Sequence, residues 1–168
     1  MTTTSYRAPA GTDIGHVHLK VSDLERAVTF YRDVLGFEIT ARYGDQAAFM
    51  SAGGYHHHIG LNTWQSKGGT PPAPGHTGLF HVAIRFPTRR DLAAALARLV
   101  EQGVPLQGAS DHGVSEALYL ADPDGNGIEL YYDRPRTLWP KKPDGSLDMF
   151  TQPLDVRALL AEVQAPAR

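Results

Sequence analysis

The sequence predicts an α+β fold: two tandem βαβββ modules that pair into an open, barrel-like cup. Two observations carry this. The order strand, helix, three strands is written twice along the chain, and each helix is closed by a glycine. Between the two runs lies "SKGGTPPAPGHTG", a Gly/Pro-rich connector without periodicity. The 168 residues are about one domain's worth. Module one is expected over about 13–64, the connector over 65–78, module two over about 79–133, and a C-terminal tail with a helix over 134–168.

The elements follow in order. Ile14 to Val21 reads as a strand. Ser22 with Glu25 forms a capping box that opens a helix, in which Leu24, Ala27, Val28, Tyr31, Val34 and Leu35 recur at helical spacing to give one buried face. Gly36 ends it as a left-handed cap. Strands are expected at Phe37 to Tyr43, Gln46 to Ala52 and Tyr55 to Thr63, separated by "GD" and "GG". In the second half "LFHVAIRF" is a strand and Thr88 with Asp91 is a cap. The helix "DLAAALARLVEQG" buries Leu92, Ala95, Leu96, Leu99 and Val100 and is closed by Gly103. Strands follow around Val104 to Gln107, Glu116 to Ala121 and Gly127 to Asp133. "TQPLDVRALLAEV" reads as a short helix that caps an end or docks on a partner. Half a curved sheet cannot bury its own concave face, so the two modules should pair.

Composition removes several classes of function. A formal net charge of −2 gives no basic footprint for nucleic acid. The absence of cysteine excludes disulfides, thiolate metal sites and thiol nucleophiles. No apolar run approaches the ~18 residues of a membrane span, and "MTTTSYRAPAGT" lacks a signal peptide's apolar core. No membrane association is expected, and the cytoplasm is the default location. Eight histidines remain to be placed.

Aligning the first strands lays "GHVHL" over "FHVAI", which makes His16 and His81 equivalent. Aligning the last strands lays "HHIGL" over "GNGIEL", which puts Gly60 opposite Glu129. In a two-fold arrangement these four positions converge on the concave side. Two imidazoles and one carboxylate form the 2-His-1-carboxylate facial triad, which leaves adjacent coordination positions open. A closed structural site would fill them.

These residues bring the sequence close to a known family. "DPDGNGIEL", "LERAVTFYRDVLGF" and the pairing of "YHHHIGLNTW" with "SDHGVSEALYLADPDGNGIELYYDRP" resemble the vicinal oxygen chelate superfamily, from about Ile14 to Asp133. That superfamily includes glyoxalase I, fosfomycin-resistance enzymes, bleomycin-binding proteins and extradiol catechol dioxygenases. Within it the chain is similar to the branch related to catechol 2,3-dioxygenases. The resemblance implies metal ligation by His16, His81 and Glu129. Glyoxalase-type members place a fourth ligand where this chain has Gly60, and extradiol dioxygenases leave that place without one. It further implies an acid–base histidine three residues before that vacant place, His57. Strict strand alternation would instead turn His58 and His56 to the face of Gly60, with a bulge able to reconcile the two. A tyrosine ten residues before the glutamate ligand, Tyr119, would hydrogen-bond a substrate oxygen. His112 is the candidate second-sphere histidine, about two residues short of the family spacing. His18 should line the cup one layer away.

The implied activity is ring cleavage of a small aromatic diol, a catechol, by dioxygen at Fe(II), with Mn(II), Zn(II), Ni(II) or Co(II) as other metals. Family dioxygenases carry a second bimodule that this chain does not, so a homodimer is expected. Trp64, Trp139, Tyr131 and Tyr132 are candidate pocket or interface aromatics. Two other readings stand beside this one: a glyoxalase-like lyase or isomerase without oxygen chemistry, and a non-catalytic small-molecule binding protein.

Overall fold

A computed structural model describes residues 5–164. The described chain runs β1 (Val17–Lys20), α1 (Leu24–Thr29), a π-helical turn (Phe30–Val34), β2 (Glu38–Tyr43), β3 (Ala47–Ser51) and β4 (Ile59–Asn62). It continues through β5 (Val82–Phe86), α2 (Arg89–Glu101), β6 (Gly108–Asp111), β7 (Ser115–Ala121) and β8 (Gly127–Asp133). A 3-10 turn (Arg136–Leu138), β9 (Gln152–Pro153) and α3 (Val156–Gln164) complete it. The strands form two open sheets, β1-β4-β3-β2 and β5-β8-β7-β6-β9.

The duplication read from the sequence is present in the hydrogen-bond ladders. β1 lies parallel to β4 with Val17 opposite Ile59, and β5 lies parallel to β8 with Val82 opposite Ile128. In each module the helix is the crossover that a parallel pair of strands requires. One face of each sheet is packed: Leu19, Met50, Ile59 and Leu61 meet Val28 and Tyr31, while Leu118, Ile128 and Leu130 meet Leu92, Leu96 and Leu99. The modules are tied together on the helical side. Tyr31 donates to Asp122 at 3.2 Å, Ser22 and Arg26 both reach Asp124, and Arg98 donates to the backbone oxygen of Asp33.

Several elements differ from expectation for local reasons. The first cap is Asp23, which accepts from the Arg26 amide, because the Ser22 hydroxyl is taken by Asp124 at 2.5 Å. Thr88 and Asp91 make the full capping box at α2. Val100 is 63% exposed and Ala93 is buried in its place, so the buried stripe of α2 ends at Leu99. Val104 to Gln107 is not a strand. The Val104 amide satisfies the Leu99 carbonyl at the helix end, the Val104 and Leu106 side chains pack on the core, and pairing with β7 begins at Gly108. Tyr55 to His58 precede the last strand of module one, which is confined to Ile59–Asn62. In the tail, β9 adds two residues to the edge of β6, and α3 packs on α2 with Leu159 buried.

Candidate functional site

Glu129 lies mid-strand in β8, and its Cα partner on β5 is Ala83. His81 stands just before β5, opposite Gly127. A Cβ at Gly127 would fall 2.2 Å from the Phe80 carbonyl oxygen and 3.1 Å from the His81 Cβ. Only a glycine lets β5 begin this close to β8, and that approach brings His81 Nε2 to 2.9 Å from Glu129 Oε2.

The other carboxylate oxygen faces a chain of polar groups. The Tyr119 hydroxyl lies 3.2 Å from Glu129 Oε1 and 2.7 Å from His112 Nε2. His112 Nδ1 lies 3.0 Å from the Phe150 carbonyl oxygen and 3.2 Å from Thr151 Oγ1. A carbonyl only accepts, so Nδ1 carries a proton. In the neutral ring Nε2 then accepts from the phenol; in the charged ring Nε2 donates to it and frees the phenol's proton for Glu129. Burial raises the Tyr119 pKa, joined by the charge of Glu129 and the bond to it, to about 12. The phenol is therefore a neutral donor at ordinary pH. His81 and Tyr119 also line a cavity of about 380 Å³ with Phe80, Gln107 and Ile128.

In module one the equivalent strands carry a different set. His18 on β1 is the Cα partner of Gly60 on β4. A Cβ at Gly60 would fall 2.8 Å from the His18 ring. The pair mirrors Ala83 and Glu129 with the sizes exchanged, so the glycine has a packing consequence: it makes room for His18. His16 and His57 stack with ring centroids 4.5 Å apart, and His57 also touches Phe49 at 5.0 Å. Its pKa is lowered, first by burial and then by His16 and the neighbouring imidazoles. His56 Nδ1 lies 2.7 Å from His57 Nδ1, so one of these two nitrogens carries a proton. His58 turns elsewhere, with Nδ1 3.0 Å from Ser51 Oγ. Because the three histidines precede the strand, alternation does not sort them; loop conformation does.

The structure thus gathers His81, Glu129, Tyr119 and His112 on the second sheet, and His16 with His57 on the first. Among the described residues no three His, Asp or Glu side chains lie close enough to share a metal ion. The three residues expected to act as ligands are therefore divided within one chain, His81 and Glu129 beside the second sheet and His16 beside the first. The carbonyl of Phe150 and the hydroxyl of Thr151, which orient His112, had no signal in the sequence.

Comparisons with known proteins bear on what this arrangement serves. Residues 13–130 match the family described as Glyoxalase/Bleomycin resistance protein/Dioxygenase superfamily. A catechol-2,3-dioxygenase of Bacillus subtilis is 44% identical over 151 residues, which cover 90% of this chain and 52% of that protein. A biphenyl-2,3-diol 1,2-dioxygenase of Rhodococcus globerulus is 33% identical over 121 residues, covering 71% of this chain and 63% of its own. The chain thus spans between half and two thirds of these curated relatives. The solved structure of a glyoxalase/dioxygenase from Nostoc punctiforme aligns with a TM-score of 0.64 at 19% identity, over 80% of this chain and 100% of that one.

Proposed function

Because the chain belongs to the Glyoxalase/Bleomycin resistance protein/Dioxygenase superfamily, we propose that it is an extradiol ring-cleaving dioxygenase that acts on a catechol-type substrate with Fe(II). One observation carries the reading. The carboxylate of Glu129 is held by His81 through one oxygen and by Tyr119 through the other, with His112 behind the phenol, and His81 and Tyr119 themselves line a cavity. A ligand pair for a divalent ion thus stands in direct contact with a proton-conducting pair. His16 is the third ligand in this reading, and His57, stacked on it, is the acid–base histidine. Mn(II), Zn(II), Ni(II) and Co(II) are the other metals a site of this composition accepts. The same reading takes the protein as a cytoplasmic homodimer.

The chain's own groups have defined tasks. Tyr119, kept protonated, donates its hydrogen bond to a substrate oxygen and orients the diol. His112 faces the phenol oxygen through Nε2, because Phe150 fixes the ring proton at Nδ1, and so sets which way the phenol's hydrogen bond points. His57 has a lowered pKa and is a neutral imidazole near pH 7, ready to accept a proton from the diol and to return it to the product. Phe80 and Ile128 give the cavity apolar surface suited to an aromatic ring.

The test supplies anaerobically Fe(II)-loaded protein with a panel of simple and substituted catechols and follows product absorbance. A yellow ring-opened product, lost in Glu129→Ala, is expected. Full metal loading without product across the panel would overturn the catechol reading and leave an oxygen-independent lyase or isomerase.

A further inference from the structure

Leu19, Met50 and Ile59 of the first sheet face the helix, so His18, Phe49 and Gly60, which alternate with them, face the other way. On that side rings run in unbroken contact. His16 meets His57 at 4.5 Å between centroids, His57 meets Phe49 at 5.0 Å, Phe49 meets His18 at 5.7 Å, and His18 meets Trp64 at 5.5 Å. The line starts at a residue read as a metal ligand and ends beside β1. β1 also has an open outer edge. The amides of Val17 and Val21 bond to β4 carbonyls, so those of His18 and Lys20 point outward. Val17, His18, Leu19 and Lys20 line, in succession, a groove of about 650 Å³ that they share with the connector. Lys20 is the only Lys or Arg lining it and has no ion pair among the described residues. The one acid lining it, Asp124, is engaged through Oδ1 by Ser22 and Arg26, and its other oxygen is buried.

We propose that this groove is a carboxylate subsite, and that the substrate is a catechol bearing an acidic side chain. The inference rests on the reading of the protein as a catechol dioxygenase with His16 as a ligand. A diol held at His16 lays its ring along the line of rings, and a substituent on the far side of the ring points down β1. His16, His18 and Lys20 follow at two-residue steps, each roughly 7 Å along an extended chain. The substituent therefore passes His18 and ends at Lys20. Three kinds of donor meet it there: the outward amides of the strand edge, which suit an anion, the Lys20 ammonium, and the His18 ring, whose nitrogens make no hydrogen bond among the described residues. An apolar substituent would take these donors out of water without pairing them. A carboxylate pairs them and matches the one unneutralised charge of the groove. The cavity beside Tyr119 cannot serve the same end, because no Lys or Arg lines it.

Selectivity between an acid and its ester decides the question. A catechol carrying an acetate side chain and the methyl ester of that compound are compared on Fe(II)-loaded protein. Two readouts are taken: kcat/KM for ring cleavage, and anaerobic quenching of Trp64 fluorescence in a Trp139→Phe background. Wild type should favour the acid about 10- to 100-fold, the range of one charge-assisted bond. Lys20→Met should abolish that preference through KM rather than kcat, and Lys20→Arg should keep most of it. High salt should narrow it. A merely structural effect of Lys20 would change acid and ester alike. Equal kcat/KM for the two compounds in wild type, or a preference that survives Lys20→Met, would overturn the subsite and leave the dioxygenase reading standing. Tighter binding of the acid, lost in Lys20→Met, without cleavage of either compound would support the subsite and defeat the dioxygenase reading. Quenching by neither compound would overturn the subsite.

Discussion

Gly127→Ala probes the closest backbone approach in the site. The new Cβ would stand 2.2 Å from the Phe80 carbonyl oxygen, with His81 Cβ and Cα at 3.1 and 3.2 Å. Since real Cβ contacts stay above 3.0 Å, the start of β5 must retreat by at least 3.0 − 2.2, or 0.8 Å. Carried along the bond line, that shift takes the 2.9 Å contact of His81 with Glu129 to about 3.7 Å, outside hydrogen-bond range. Overpacking of this kind costs about 1–3 kcal/mol, and loss of glycine freedom in the unfolded chain returns about 0.4–1 kcal/mol. A net loss near 1–2 kcal/mol corresponds to a Tm drop of roughly 2–8 °C for a chain of this size. Gly60→Ala is the control. Its Cβ meets the ring of His18, a side chain that can rotate, at 2.8 Å. The entropic gain then offsets most of the cost, and Tm should stay within roughly 3 °C. Thermal melts by circular dichroism compare the two. A Gly127→Ala protein that melts with wild type, or a Gly60→Ala protein that falls as far, would refute the distinction between backbone and side-chain obstacles.

Other perturbations follow from the same geometry. Tyr119→Phe removes the phenol between His112 and Glu129; kcat for catechol cleavage should fall about 10- to 100-fold, consistent with a charge-assisted bond of ~1.5–3 kcal/mol, with KM changed less. Tyr31→Phe deletes the buried bond to Asp122 that joins the modules and should lower stability in urea by about 1–2 kcal/mol. Arg134→Met removes the guanidinium that holds the Asp111 carboxyl below its usual pKa and also pairs with Glu116. Because the folded-state pKa of Asp111 is depressed, its contribution is present above the unfolded value near ~3.9 and fades as pH falls toward the folded one. The Tm gap between wild type and Arg134→Met should therefore be widest at neutral pH and narrow below about pH 4; a constant gap would show that Asp111 contributes nothing.

Much of this was legible because it is local or repeated. The two modules, their crossover helices and the equivalence of His16 with His81 follow from short motifs that recur in register. What escaped the sequence depends on distant partners. Ser22 and Asp23 are both competent caps, and the choice falls to Asp23 because Asp124, 102 residues away, takes the Ser22 hydroxyl. Val104 to Leu106 have strand-like composition but pack down from a helix end. β9 is too short for any periodic signal and exists because β6 offers it an edge. In the site, the positions of His81, Glu129 and Tyr119 could be counted from motifs, whereas the orientation of His112 depends on a backbone carbonyl 38 residues further on. Sequence symmetry placed His16 and His81 at equivalent positions, ahead of β1 and β5, but it carried no sign of how far apart they stand.

The central claim is that dioxygen itself enters the product. Fe(II)-loaded protein turning over a cleaved catechol under ¹⁸O₂ tests it most directly, with the product carboxylate analysed by mass spectrometry. The account predicts one heavy oxygen in that carboxylate and no turnover without dioxygen. An unlabelled product, or one formed equally well under argon, would contradict it.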